Sequence, residues 1–60
     1  MKVYRITVSD AEGIWLTTEP KTMRLSEALE MSNRVKMGFP NHKVVLWDMG
    51  KSLGEIVTRL

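Results

Sequence analysis

The sequence has no cysteine, which excludes disulfide bonds and the thiolate ligands of most structural zinc sites. A chain of 60 residues buries only roughly 60% of the surface that its unfolded form exposes, so its core is marginal. Domains of this size commonly gain stability from disulfides, metals or self-association. We therefore expect a single domain over residues 1–60 and consider a homodimer.

The sequence also has no long apolar run. No stretch approaches the roughly 18 apolar residues that a membrane span requires. The first ten residues, MKVYRITVSD, carry Lys2 and Arg5 where a signal peptide would have its apolar region. Together with the absence of cysteine, these features predict a cytoplasmic location and no membrane partner.

A strong charge imbalance is absent as well. Nine basic and seven acidic residues are scattered along the chain and give a net charge of +2, which attracts nucleic acid only weakly. Hydrophobic residues make up 43% and charged residues 27%, values close to those of soluble globular domains and unlike those of disordered chains. The composition therefore predicts a folded protein.

Residues that carry catalysis or bind cofactors are scarce. His42 is the only histidine, and we expect it to be an exposed loop residue with neither a metal site nor a catalytic triad around it. The segment MGKSLG, residues 49–54, is similar to a phosphate-binding loop, but such a loop needs a glycine where this sequence has Val45. We therefore expect no enzyme activity, no cofactor and no metal ion.

An N-terminal β-hairpin is predicted from two alternating segments, residues 2–8 (KVYRITV) and residues 14–18 (IWLTT), which flank the turn SDAEG. The expected register places Val8 opposite Ile14. This register keeps the apolar side chains of both strands on one inner face and leaves Trp15 on the outer face.

The hairpin is expected to end at Pro20, because proline has no amide hydrogen to give to a sheet. The three residues after it, KTM at 21–23, are expected to be a connection to the next element.

A helix is predicted over residues 24–40, RLSEALEMSNRVKMGFP. Ser26 or Thr22 can serve as the N-cap, and Gly38 and Pro40 are typical stop signals. One stripe of the helix holds the side chains expected to face the sheet, and these are Leu25, Ala28, Leu29, Met31, Ser32 and Val35.

Two further strands are predicted after the helix, at residues 42–48 (HKVVLWD) and residues 54–60 (GEIVTRL). A short helix over residues 52–59 is the alternative for the last element, because its apolar residues also have helical spacing. The β-branched Val57 and Thr58 favour the strand. The predicted fold class is therefore α+β, with one helix packed on one face of a small antiparallel sheet in the order ββαββ, or ββαβα in the alternative.

One helix covers one face of this sheet, and the outer face is predicted to be unusually apolar. If Val44 and Leu46 face the helix, Val45 and Trp47 face away, on the same side as Trp15. Tryptophan and arginine are enriched where partners bind. The candidate partner-binding residues on the outer face are Trp15, Trp47, Arg5, Thr7, Val45 and Arg59, with Val57 beside them.

Other arrangements remain open. One indole could fold over the rim of the small core, or the strand phase could be opposite, with Trp47 under the helix. The apolar face could also be the seam of a homodimer. A single-stranded RNA or DNA could instead stack its bases on Trp15 and Trp47 while Arg5, Arg59 and Lys43 hold its backbone.

The order of hairpin, helix and Val-rich strand resembles small phage and prophage proteins that bind host proteins, among them the podoviral inhibitors of bacterial RNA polymerase. The similar features are EALE at residues 27–30, GF at residues 38–39 and the strand that follows. The GIW segment at residues 13–15 and DMG at residues 48–50 are also similar to an uncharacterised bacterial family of small ββαββ domains. The arginine-bearing C-terminal part of the polymerase inhibitors has no clear match here, so no functional residue is carried over.

The resemblance implies a stoichiometric binder that occupies a host protein. Taken with the outer face, it predicts a non-enzymatic protein-interaction module of phage or prophage origin that binds and modulates a host protein through the sheet face or an exposed edge strand. Single-stranded nucleic-acid binding through the same face is the alternative function.

Overall fold

The fold is an antiparallel sheet with one helix on one face, as the sequence predicts. The computed structural model describes residues 1–13, 15–50 and 54–60. The elements are β1 (Lys2–Ser9), β2 (Trp15–Thr17), β3 (Lys21–Met23), α1 (Leu25–Gly38), β4 (Lys43–Asp48) and β5 (Glu55–Arg59). The α+β class is confirmed, and the alternative helix over residues 52–59 is wrong because β5 is a strand.

Strand β1 lies at the centre of the sheet. It pairs with β4 along one edge and with both β2 and β3 along the other, and β5 pairs with the far edge of β4. All of these pairings are antiparallel. The inner face of the sheet is the one that α1 covers, and β5 forms one border while β2 and β3 together form the other.

The segment expected to be a connection, residues 21–23, is instead strand β3. Thr17 lies opposite Thr7 and Lys21 lies opposite Tyr4, so three residues on the border oppose two on β1. This one-residue surplus is a β-bulge, and a bulge reverses which face the following side chains occupy. Met23 is consequently buried in the core.

Thr18 completes the hydrogen bonding of β1 at this bulge. Its amide donates to the carbonyl oxygen of Ile6 at 3.0 Å, and its hydroxyl oxygen accepts the Ile6 amide hydrogen at 3.0 Å. The side chain thus replaces the backbone carbonyl that a regular ladder would supply. Pro20 is tolerated next to this site because bulges and border strands need no amide hydrogen there.

The hairpin register differs from the prediction by two residues. Val8 lies opposite Leu16 and Ser9 lies opposite Trp15, whereas Ile14, the predicted partner of Val8, lies outside the described residues. The turn starts one residue later than expected, because the Asp10 carbonyl accepts the amide of residue 13 at 3.1 Å and its carboxylate accepts the amide of residue 12 at 2.9 Å. A shift of two residues keeps every side chain on its predicted face.

The start of α1 has no side-chain cap. Its N-cap is Arg24, which has extended backbone angles and makes no side-chain capping bond, so the prediction of Ser26 or Thr22 is wrong. The physical reason is β3: Thr22 is paired with Val3 inside that strand, and the strand delivers the chain directly into the first helical turn. The predicted stop is confirmed, since Gly38 is the last helical residue.

Small side chains face the sheet from α1. Ala28 and Ser32 are fully buried, and Val35 packs against the core. Leu25, expected to be buried, is 48% exposed. Its neighbours on the predicted stripe, Leu29 and Met31, are exposed as well, which corrects the prediction. The small residues let the helix lie close to the sheet, so the larger ones fall at its flanks.

The core lies between α1 and the inner face. It consists of Tyr4, Ile6, Val8, Met23, Ala28, Val44 and Leu46. A helix is about 10 Å wide, whereas a sheet four strands wide spans about 19 Å. Accordingly, a cavity of about 230 Å³ opens between α1 and the bulged border, with Met23 and Met31 among its lining residues.

Candidate functional site: the outer sheet face

The outer face is the side of the sheet turned away from α1. Because directly opposed residues share a face, the strand registers define its members. They are Val3, Arg5, Thr7 and Ser9 of β1, Trp15 and Thr17 of β2, Thr22 of β3, Lys43, Val45 and Trp47 of β4, and Ile56 and Arg59 of β5. Each of the six candidate residues from the sequence therefore lies on this face.

Trp15 is the exposed indole of the outer face. It starts β2 opposite Ser9 and is 57% exposed. It is not folded over the core, because the core lies on the opposite side of the sheet. An aromatic side chain of this size loses a favourable burial free energy of about 1–2 kcal/mol when half of it stays in water.

Trp47 lies on the same face and is half-buried. Its indole Nε1 donates a hydrogen bond to the Thr7 hydroxyl oxygen at 2.9 Å, and it stands opposite Arg5. Gly54 lies so close that an added Cβ would sit 3.6 Å from the ring. The alternative with Trp47 under the helix is therefore wrong, and the ring is held in one orientation.

The two indoles share a face but do not touch. Trp15 is level with Ser9 and Trp47 is level with Arg5, which are four residues or about 13 Å apart along β1. Strands β2 and β4 flank β1 and lie about 10 Å from each other. The Cα atoms of the two tryptophans are therefore about 16 Å apart, with Thr7 and Thr17 between them.

Val45 forms the floor of the outer face. It stands between Thr7 and Arg59 in the sheet and is only 8% exposed although no helix covers it. Neighbouring outer-face side chains therefore shield it, and it offers little area to a partner. Val45 supports the surface, and the residues around it supply the contacts.

A second bulge changes the border at β5. The register shifts between Leu46 and Trp47, so that Ile56 lies opposite Trp47 and Val57 has no cross-strand partner. Ile56 therefore takes the place beside Trp47 that the sequence assigned to Val57, which is a correction. No residue of the strand segment EIVTR, residues 55–59, marks the bulge, because none of them is a glycine or a proline.

The charges on the outer face are of one sign. Its paired positions include Arg5, Lys43 and Arg59 and no carboxylate. Asp48 and Glu55 stand opposite each other, at positions that belong to the inner face. The paired positions of the outer face therefore carry three positive charges and no negative one, a local balance that a net charge of +2 understates.

None of these cations belongs to an ion pair between described residues. Those pairs are Lys2–Asp48 at 3.4 Å and Arg34–Glu30 at 2.9 Å, on the inner side and on the helix. Arg5 instead uses its Nε to donate a hydrogen bond to the Thr18 carbonyl at 3.3 Å. That bond fixes the direction of the side chain and leaves both terminal nitrogens for another group.

A shallow depression lies between the Arg5 and Trp47 side chains. Its volume is about 200 Å³, and Thr7 and Met49 complete its lining. The Thr7 hydroxyl accepts the indole hydrogen, so its own hydrogen can be donated to a group in the depression. Arg5 and Thr7 both line the depression, and both carry hydrogen-bond donors, so a carboxylate is a suitable ligand for it.

In the described part of the chain, the side chains that could ligate a metal are dispersed. No group of three or more His, Cys, Asp or Glu residues there is arranged to hold a metal ion. His42, expected to be exposed, is half-buried, and its ring packs edge-on against Phe39 with centroids 5.4 Å apart. Of the former phosphate-loop candidate, residues 51–53 lie outside the described residues.

Comparisons of the chain with protein-family models, with curated proteins and with solved structures give no match. Within the residues that the structure describes, no helix has the length and the apolar character that crossing a membrane requires. The functional argument therefore depends on the geometry of the outer face.

Proposed function

We propose that this protein is a non-enzymatic protein-interaction module that binds a partner polypeptide on its outer sheet face, with Trp15 as the main contact. The supporting observation is the 57% exposure of Trp15 on a face that also carries three cations. Tryptophan and arginine contribute disproportionately to binding energy when a partner excludes water from them.

The proposal includes a host protein as the partner, a phage or prophage origin and a cytoplasmic location. The resemblance of the hairpin, helix and strand order to phage host-binding proteins supports the first two. The absence of cysteine supports the third. A homodimer formed through the same face is a competing use of this surface, and sedimentation of the purified protein distinguishes it.

Single-stranded nucleic-acid binding is the second candidate, and one observation favours it: both indoles and all three cations of the outer face occur together without a carboxylate. Such a complex would weaken steeply with salt, because phosphate contacts release counterions. Titration of a labelled poly(dT) and a poly(U) oligonucleotide at two salt concentrations tests this function. The absence of binding at low salt would exclude nucleic-acid binding.

The proposed function is tested by capture of partners with the wild type, Trp15→Ser and Met37→Ser. Met37 is 81% exposed and lies on α1, away from the outer face, so it is a matched control for loss of an exposed apolar side chain. We expect Trp15→Ser to lose the specific partner by about tenfold or more, as for a hot-spot residue, while Met37→Ser retains it.

Circular dichroism and thermal melting must accompany this test, since only folded variants are informative. Because Trp15 is more exposed than buried, its replacement should leave the fold intact. Equal capture by the folded Trp15→Ser variant and the wild type would overturn the proposal.

A further inference from the structure

We propose that the partner segment bound by the outer face is an acidic polypeptide, with one carboxylate held in the depression beside Arg5 and an apolar side chain placed against Trp15. This inference rests on the proposed function and names the chemistry of the partner. It is carried by the one-sign charge of the outer face and by the lining of the depression.

The depression offers a carboxylate two kinds of donor. The Arg5 side chain is directed by the bond from its Nε to Thr18 at 3.3 Å, and its terminal nitrogens remain for a partner. Thr7 also lines the depression, and its hydroxyl is held by the indole of Trp47 at 2.9 Å. Donors that are already oriented lose less conformational entropy on binding, so a carboxylate gains more from them.

The other two cations extend the positive surface to both ends of the sheet. Lys43 lies opposite Ser9, whose other neighbour is Trp15, and Arg59 lies opposite Val45 on the β5 side. A segment that contacts Trp15 and reaches the depression therefore passes within about 10 Å of all three cations. An acidic segment is favoured along this path, and a basic one is repelled.

A polypeptide fits this spacing better than a nucleic acid does. The Cα atoms of the two tryptophans are about 16 Å apart, a distance that about five residues of extended chain cover. Stacking platforms for single strands place aromatic rings where successive bases can reach them, and here the Thr7 and Thr17 side chains separate the rings. Trp47 is half-buried and hydrogen-bonded to Thr7, which leaves Trp15 as the exposed ring of the pair.

The test begins with selection of a random dodecapeptide library on the immobilised wild-type protein. Selection on the Trp15→Ser variant in parallel removes peptides that bind elsewhere. We expect the enriched peptides to share a net negative charge and an apolar residue near their carboxylates. The best peptide is then synthesised, and its affinity is measured by fluorescence anisotropy at low and at physiological salt.

Charge variants then locate the contact. Arg5→Gln, and separately the double change Lys43→Glu with Arg59→Glu, should each weaken binding of that peptide by about tenfold, the effect of about 1.4 kcal/mol of lost interaction. The matched control is Lys21→Glu with Arg34→Glu. It alters net charge as the outer-face double change does, but its positions lie off the outer face, and its affinity should stay within about threefold of the wild type.

The outcomes separate this inference from the proposed function. Enriched peptides without acidic bias that still require Trp15 would overturn the acidic partner while leaving the interaction module in place. Equal weakening by the outer-face and control variants would also overturn it, because the effect would then be one of net charge alone. No Trp15-dependent peptide, or oligonucleotide binding that is abolished by Trp15→Ser, would overturn both.

Discussion

Replacement of Thr18 by valine tests the account of the bulged border most sharply. Valine has nearly the shape of threonine but lacks the hydroxyl oxygen that accepts the Ile6 amide hydrogen at 3.0 Å. Ile6 is almost fully buried, so water does not readily replace that acceptor. Leaving such a donor unsatisfied costs about 1–3 kcal/mol.

This loss is large for so small a protein. A domain of this length has a free energy of unfolding of about 3–9 kcal/mol, so Thr18→Val should remove a substantial fraction of it. The matched control is Thr17→Val, because the Thr17 hydroxyl is exposed and donates only to the neighbouring Thr18 carbonyl, at 3.3 Å. Thr17→Val should change the free energy of unfolding by no more than about 0.5 kcal/mol. Thr18→Ser keeps the hydroxyl oxygen, so its loss of stability should fall between those of Thr17→Val and Thr18→Val.

Urea unfolding followed by circular dichroism measures these differences, because an unchanged slope with a lower midpoint reports a loss of stability. Hydrogen exchange adds a local readout, in which the Ile6 amide should exchange faster in Thr18→Val. If Thr18→Val and Thr17→Val unfold at the same urea concentration and Ile6 keeps its protection, Thr18 does not complete the sheet and the reasoning is refuted.

Two further changes test the packing of other elements. In thermal melts, Gly54→Ala should destabilise the protein by about 1 kcal/mol or more. Gly54 has a φ of +73°, and its added Cβ would lie 3.1 Å from the Met49 sulfur. The control is Gly38→Ala, which has open space around it and should be neutral or stabilising in the same melts. Ala28→Leu should lower the free energy of unfolding by about 1–3 kcal/mol, because Ala28 is fully buried between α1 and the sheet. The control is Asn33→Leu, on the exposed side of α1, which should unfold at the wild-type urea midpoint.

The faces of the sheet could be predicted from the sequence because strand alternation survives errors of register. The hairpin register was wrong by two residues, yet Leu16 and Trp15 kept their predicted sides, since side chains repeat their direction every two residues. The phase of β4 followed from Val44 and Leu46 in the same way. These two regularities sufficed to place both tryptophans on the outer face.

The bulges could not be predicted, because an extra residue changes the register without a distinctive composition. At the first bulge, Pro20 predicts the end of a strand, whereas in the structure it lies at a point where the border needs no amide hydrogen. The burial of Met23 depends on that surplus residue. At the second bulge, Ile56 and not Val57 lies beside Trp47. The strand there has no proline or glycine that would indicate a bulge.

The helix was located correctly but its contacts were not. Leucines dominate a hydrophobic pattern, so Leu25 and Leu29 were expected in the core, whereas Ala28 and Ser32 lie closest to the sheet. Ser32 is compatible with full burial because its hydroxyl donates to the Ala28 and Leu29 carbonyls of its own helix, both at 2.9 Å. Close approach of helix and sheet is a property of the tertiary structure, which periodicity alone does not contain.

The most direct test of the outer face as a binding surface is a nuclear magnetic resonance titration of the nitrogen-15-labelled protein with a captured or selected partner. We predict that the indole signal of Trp15 and the amides of Thr7 and Thr17 shift, while those of Ala28 and Ser32 under the helix do not. Shifts confined to Met23, Met31 and the cavity between α1 and the bulged border, with Trp15 unmoved, would contradict the account.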